Sequence, residues 1–250
     1  MAVGDSFTEG LDDEGPQGTF RGWADRFAER AAAAAPGLTY ANLAVRGKKI
    51  DQVIDEQVPA AVELQPDLTS LAAGINDAMR PSVDLGRVAQ RLAEGVEALR
   101  ASGSQVLLTC VGDPARRSMA LRALARRINA YDEHVRRIAD EYGCYLMDFW
   151  GVALFDDPRC WSVDRLHLSE IGHARVASAA WEAVGGEDDG WREPLPPSPG
   201  DNWLAARGRD AQWAWTHLGP WVGRRLRGVS SGDGLQPKRP QLAPVALPAG

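Results

Sequence analysis

Gly4-Asp5-Ser6-Phe7-Thr8-Glu9-Gly10 sets a serine between glycines just after a short apolar start, a setting that can present a hydroxyl at the end of a strand. Three further blocks carry chemistry of a matching kind: Asn42-Leu43-Ala44-Val45-Arg46-Gly47, Gly74-Ile75-Asn76-Asp77 and Asp164-Arg165-Leu166-His167. A serine hydroxyl is a poor nucleophile until a base accepts its proton. Among His134, His167, His173 and His217, His167 is the natural base, because Asp164 three residues earlier can fold back onto the imidazole. That carboxylate would fix the tautomer and stabilise the imidazolium. A tetrahedral intermediate also needs donors for its negative oxygen, and the backbone N–H groups of Ser6 and Gly47 with the side-chain amide of Asn76 are the candidates. The chemistry described is acyl transfer.

Each block alone has a plainer reading. Gly-Asp-Ser is common in turns, Gly47 suits a strand-to-helix turn, Asn76 a helix cap, and Asp164 with His167 a surface pair at a helix entrance. The elements between the blocks decide the matter. Arg21 to Ala35 carries Trp23, Phe27 and an alanine run at helical spacing and stops at Pro36-Gly37. Thr39 to Val45 reads as strand; Ile50, Val53, Ile54, Val58 and Val62 form a helical stripe; and Leu68 to Ala73 is again an apolar run. The alternation continues with helices over Leu85–Ala101, Leu121–Tyr142 and Ser169–Val184 and strands over Gln105–Val111 and Cys144–Phe149. Five short apolar strands alternating with amphipathic helices predict a parallel sheet covered on both faces, a three-layer α/β/α sandwich over residues 1–185. In such a sheet, ligands bind outside the carboxyl ends of the strands. Ser6, Gly47, Asn76 and the Asp164–His167 pair each follow a strand and fall on that one edge.

The rest of the chain sets bounds. A length of 250 residues with 44% hydrophobic and 25% charged residues is ordinary for a globular protein. A formal charge of -6 and a pI near 5.3 give no general affinity for nucleic acid or anionic membranes. No stretch has the form of a secretory signal, and nowhere do about 18 apolar residues follow one another, so a cytoplasmic location is expected. Cys110, Cys144 and Cys160 lack metal-ligand spacing and cannot all pair, so neither a disulfide nor a metal is assigned.

After Gly185-Gly186 the composition changes to prolines and tryptophans, and an extension docked on the core is expected over 186–229, with a mobile Gly/Pro/Ser-rich tail over 230–250. Asp201 is a candidate cap for a helix carrying Trp203, Leu204, Trp213 and Leu218. Trp191, Trp203, Trp213, Trp215 and Trp221 need burial, against the core, in a homodimer, or as a roof over the cleft. Arg207, Arg209, Arg224, Arg225, Arg227, Lys238 and Arg239 read as solvated charges, and Asp12-Asp13-Glu14 just beyond Ser6 reads as a solvated acidic loop that, near the cleft mouth, would disfavour strongly anionic substrates.

The four ordered blocks resemble those of the SGNH hydrolases, the GDSL esterase/lipase superfamily. The resemblance spans nearly the whole α/β region. It implies a flavodoxin-like sheet of order 2-1-3-4-5, no cofactor, Ser6 as nucleophile, His167 as base, Asp164 as its partner, and Ser6, Gly47 and Asn76 as oxyanion hole. It implies no particular substrate, since the superfamily holds esterases, thioesterases, lipases, deacetylases and acyltransferases. Phe7 stands where the motif has leucine, a mild change in packing. Only Met1, Ala2 and Val3 precede Gly4. A first strand shortened by two or three buried side chains would lose roughly 1.5 to 3 kcal/mol for each, so a natural start upstream is expected; an intact mass of the native protein equal to 27.0 kDa would refute it. The expectation for function is a serine hydrolase acting on a small ester, thioester or O-acetyl group. The alternatives are an acyltransferase using the same triad and a non-catalytic module binding through its Trp/Arg-rich tail.

Overall fold

A computed structural model describes residues 1–15, 18–116, 121–197, 232 and 234–247. Five strands lie parallel: β1 (Ala2–Gly4), β2 (Thr39–Asn42), β3 (Leu68–Ala72), β4 (Gln105–Cys110) and β5 (Tyr145–Asp148), in the order β2-β1-β3-β4-β5. Pairs such as Gly4 with Ala72 and Cys110 with Asp148 align the carboxyl ends along one edge. The loops after those ends can therefore converge.

The sheet has six strands rather than the five expected. β6 (Arg239–Pro244) pairs antiparallel with the outer edge of β2, giving the full order β5-β4-β3-β1-β2-β6. The sequence places residues 239–244 in a mobile tail, because Arg-Pro-Gln-Leu-Ala-Pro shows no strand periodicity. The force that orders them lies in β2, whose outer N–H and C=O groups need partners, and an edge position tolerates proline.

Helices cover both faces. α2 (Gly22–Ala34) and α8 (Glu170–Ala183) pack on one, where Trp23, Ala24, Ala28, Val176 and Ala180 are buried with Leu107 and Met147 of the sheet. The other face carries α3 (Ile50–Gln52), which runs through a π-helical turn at Val53–Gln57 into α4 (Val58–Glu63), together with α6 (Leu85–Ala101) and α7 (Arg122–Glu141). Leu71, Leu92, Leu99 and Leu108 are almost wholly buried there, each contributing about 1.5–3 kcal/mol. Two short helices, α1 (Ser6–Glu9) and α5 (Ile75–Ala78), sit at the strand ends.

Trp191 is buried and meets Phe149 edge-on at 5.8 Å between ring centres, so this tryptophan packs on the core. The other four tryptophans, the Asp201 cap and Arg207 to Arg227 lie outside the described residues. No helix among the described residues is long and apolar enough to cross a membrane.

Candidate active site

Ser6 opens α1 two residues beyond the end of β1. Asp5 is buried and caps the helix, its Oδ1 accepting the Phe7 N–H at 3.1 Å. Upstream, the buried amide of Gln57 accepts the Gly4 N–H at 2.7 Å and donates to the Gly4 carbonyl at 2.9 Å. A side chain from the π-helical turn thus holds the last residue of β1 as a neighbouring strand would. Extra-residue turns of this kind recur at functional sites.

The Asp164–His167 turn carries its own scaffold. Asp164 Oδ1 accepts the N–H groups of Leu166 and His167, each at 2.9 Å, and the Ser162 hydroxyl at 2.9 Å. Asp164 Oδ2 is left for the His167 ring, accepting from Nδ1 at 2.6 Å. His167 Nε2 then accepts the Ser6 hydroxyl at 3.0 Å. Burial works to raise the Asp164 pKa, but the His167 ring and the backbone donors outweigh it and hold the carboxyl well below its usual range. For His167 burial works downward, and the hydrogen bond and charge of Asp164, reinforced by Asp12 and Asp5, leave the net shift upward.

The other side of the serine is assembled from scattered segments. Gly47 has φ +74°, a left-handed turn that suits glycine, between Arg46 and Lys48. The Arg46 N–H donates to Glu9 Oε2 at 2.8 Å, and its guanidinium grips the same carboxylate, with Nη2 to Oε1 at 2.6 Å. Asn76 enters on α5 behind Gly74, whose φ of +94° and packing admit no side chain: a Cβ there would lie 2.2 Å from the Tyr131 hydroxyl. Asn76 Nδ2 donates to Asp5 Oδ2 at 2.8 Å and to the Lys48 carbonyl at 3.0 Å. Its amide therefore ties the serine turn to the Gly47 turn. Among the described residues, neither the Ser6 nor the Gly47 N–H meets a hydrogen-bond acceptor.

Ser6, Asn76 and His167 line one pocket with a cavity of about 100 Å³, walled by apolar residues that include Ile75, Met79, Leu124, Phe155 and Trp161. Asp164 stands behind His167, and Gly47 is not among the wall residues. Every candidate residue thus falls at the same edge of the sheet. No sequence pattern marks Gln57, Glu9, Arg46 or His173 as belonging here, and Asp12 reads in the sequence only as part of a solvated acidic loop.

The profile of the GDSL-like Lipase/Acylhydrolase family matches residues 2–175. The chain belongs to that family. Among solved structures its fold resembles TesA, at 22% identity over 74% of this chain and 96% of that one, with a TM-score of 0.63. Axe2, an acetylxylan esterase from Geobacillus stearothermophilus, gives 21% identity over 76% and 94% of the two chains, with a TM-score of 0.62. LAE5, an alpha/beta hydrolase enzyme from the metagenome of Lake Arreo in Spain, gives 24% over 74% and 93%, with a TM-score of 0.61. At such identities the likeness is one of fold. No curated protein sequence matches.

Asp12, Asp164 and His167 offer ligand atoms within 4.8 Å of one another. The His167 Nδ1 that a cation would need is already committed to Asp164, and the ring's other nitrogen to Ser6. A cation here would dismantle the hydrogen-bonded relay, so this GDSL-family site does not suit a resident metal.

Proposed function

We propose that the protein is a serine esterase that cleaves a small acyl ester, thioester or O-acetyl group through an acyl-serine. One observation carries the reading: the unbroken run of hydrogen bonds from Asp164 through His167 to Ser6, at 2.6 and 3.0 Å, on the wall of an apolar pocket. Ser6 Oγ attacks the acyl carbon while His167 Nε2 takes its proton. Asp164, acceptor from Nδ1, keeps Nε2 free to do so and stabilises the ring once charged. The N–H groups of Ser6 and Gly47, which meet no acceptor among the described residues, are assigned to the developing oxyanion. The Asn76 amide joins them by exchanging one of its present acceptors for the substrate oxygen, which carries full charge only in the intermediate. His167 then returns the proton to the leaving group, and water resolves the acyl-serine by the reverse route.

The cavity bears on the size of the acyl group. Its volume of about 100 Å³ is below the roughly 150 Å³ that admits benzene in an engineered apolar cavity, which favours acyl groups of a few carbons. Hydrolysis of p-nitrophenyl acetate, butyrate and octanoate by wild type and Ser6→Ala tests both parts. Turnover lost in Ser6→Ala and falling from butyrate to octanoate is expected. Equal rates for wild type and a folded Ser6→Ala, together with no fluorophosphonate labelling, would reject the reading.

A further inference from the structure

The family match ends at residue 175, yet the chain returns to the active-site edge more than fifty residues later. β6 closes the outer edge of β2, and the residue just before it, Lys238, points inward rather than into solvent. Its ammonium, with three N–H groups shared among four acceptors, lies 2.5 Å from the carbonyl of Glu9, 2.8 Å from that of Phe20, 3.3 Å from that of Arg21 and 2.5 Å from the carboxylate of Asp25. Glu9 is the last residue of α1, the helix that Ser6 begins. Its side chain in turn holds both the backbone and the guanidinium of Arg46, the residue before Gly47.

A second contact lies upstream of Lys238. The backbone at Gly232 lies so close to the Arg46 carbonyl that a Cβ there would sit 1.9 Å from that oxygen. The Arg46 guanidinium also covers the Phe20 ring at 4.7 Å, and the Phe20 carbonyl is one of those that Lys238 holds. Arg46 is therefore fixed from its side chain by Glu9 and Phe20, and its carbonyl lies against Gly232.

We propose that the C-terminal segment formed by Gly232, Lys238 and β6 is a strap that positions the Gly47 turn for oxyanion binding, with Lys238 as the positioning residue acting through Glu9 and Arg46. This rests on the esterase reading of the same site. Lys238 touches no reacting atom. It supplies a buried positive charge to three carbonyls at the junction of α1 and the start of α2. An apolar residue there would take that charge and its donors away from the carbonyls and from Asp25, which relaxes the junction. Misplacing a catalytic donor by about 1 Å is enough to cost on the order of 10²-fold in rate.

The test compares wild type, Lys238→Met and Lys238→Arg on p-nitrophenyl butyrate, with active serines counted by fluorophosphonate titration so that unfolded protein drops out. Hydrogen exchange of the peptide holding residues 45–48 is followed in parallel. For Lys238→Met, kcat per titrated serine should fall about 10- to 100-fold with KM changed less than about threefold, since a donor to the transition state is displaced and substrate binding is not. Exchange at 45–48 should quicken while that of β4 stays as in wild type. Lys238→Arg, which keeps the charge and the donors, should recover part of kcat.

An unchanged kcat per titrated serine in Lys238→Met, or exchange that quickens everywhere alike, would overturn the strap and leave the esterase reading standing. Loss of Ser6 dependence in wild type itself would remove that reading and the strap with it. If Lys238→Met does not fold, Lys238→Arg and Glu9→Gln carry the same comparison, and wild-type kcat with wild-type exchange in both would overturn the strap.

Discussion

The two sides of Ser6 are built in opposite ways. The side proposed to supply the base is local: Asp164 and His167 lie in one turn, and a single carboxylate shapes the turn and orients the ring. The side proposed to bind the oxyanion is distributed, with Ser6, Gly47 and Asn76 on separate segments joined by Asp5, Lys48, Glu9 and Arg46. A local device keeps its geometry whatever the rest of the chain does. A distributed one depends on residues far from the chemistry, and so can be tuned from a distance.

The largest effects should come from breaking the local side. His167→Ala removes the proposed base and should lower kcat by at least about 10⁴-fold, comparable to Ser6→Ala alone or to both changes together. Multiplying losses in the double variant would show that the two residues do not act as one unit. Asp164→Asn is expected to cost roughly 10⁴-fold, because an amide donating to Nδ1 would place the ring proton on Nε2, where it cannot accept from Ser6. His167→Ala should melt near wild type, since the Asp164 carboxylate still holds the turn, whereas Asp164→Asn exchanges the charged acceptor that shapes it for a neutral amide and should lower Tm modestly.

On the distributed side the expected losses are smaller. Asn76→Ala should reduce kcat by roughly 10² to 10³-fold if its amide reaches the oxyanion. It also removes the bridge between Asp5 and Lys48, so Tm should fall as well. Asn76→Asp should lose both roles and lower Tm further, because an acid of the same shape repels Asp5 and donates nothing. A kcat in Asn76→Ala equal to wild type would take the amide out of the oxyanion hole and leave it as a tie between loops.

This contrast also explains what the sequence made legible. Glycines, an i,i+3 Asp–His pair and strand ends are local features, and Ser6, Gly47, Asn76, Asp164 and His167 can all be picked out from them. The helix over Leu85–Ala101 is bounded to the residue by apolar positions that repeat along one face. Gln57 gripping Gly4, Glu9 gripping Arg46 and Lys238 filling a nest of carbonyls were invisible, because each joins positions 37 to 229 residues apart with no periodicity to betray it. β6 was hidden for a related reason: its partner edge dictates the strand, while its own prolines argue against one.

The smallest predicted effect probes the charge around the base. Asp12 holds a backbone φ of +71°, unusual for a residue with a side chain, and its Oδ2 lies 4.0 Å from His167 Nδ1. His167 titrates above its ordinary 6.5, so kcat/KM should fall as pH drops through a value above 6.5, where the ring gains the proton that blocks it. Asp12→Asn removes one charge favouring the imidazolium and should move that inflection to lower pH. Two charges 4 Å apart interact by about 1 kcal/mol in water, so the shift should stay under about 1 unit, Asp12 being exposed. On the acid side of that inflection a second histidine begins to cost stability. Buried His173 accepts the Trp23 N–H and is held neutral, its pKa lowered by burial to about 4. The stability it confers is complete above 6.5 and lost as pH falls from there toward about 4. An inflection that does not move in Asp12→Asn would leave Asp164, with the smaller contribution of Asp5, as the carboxylates acting on His167, making that side of the site more local still.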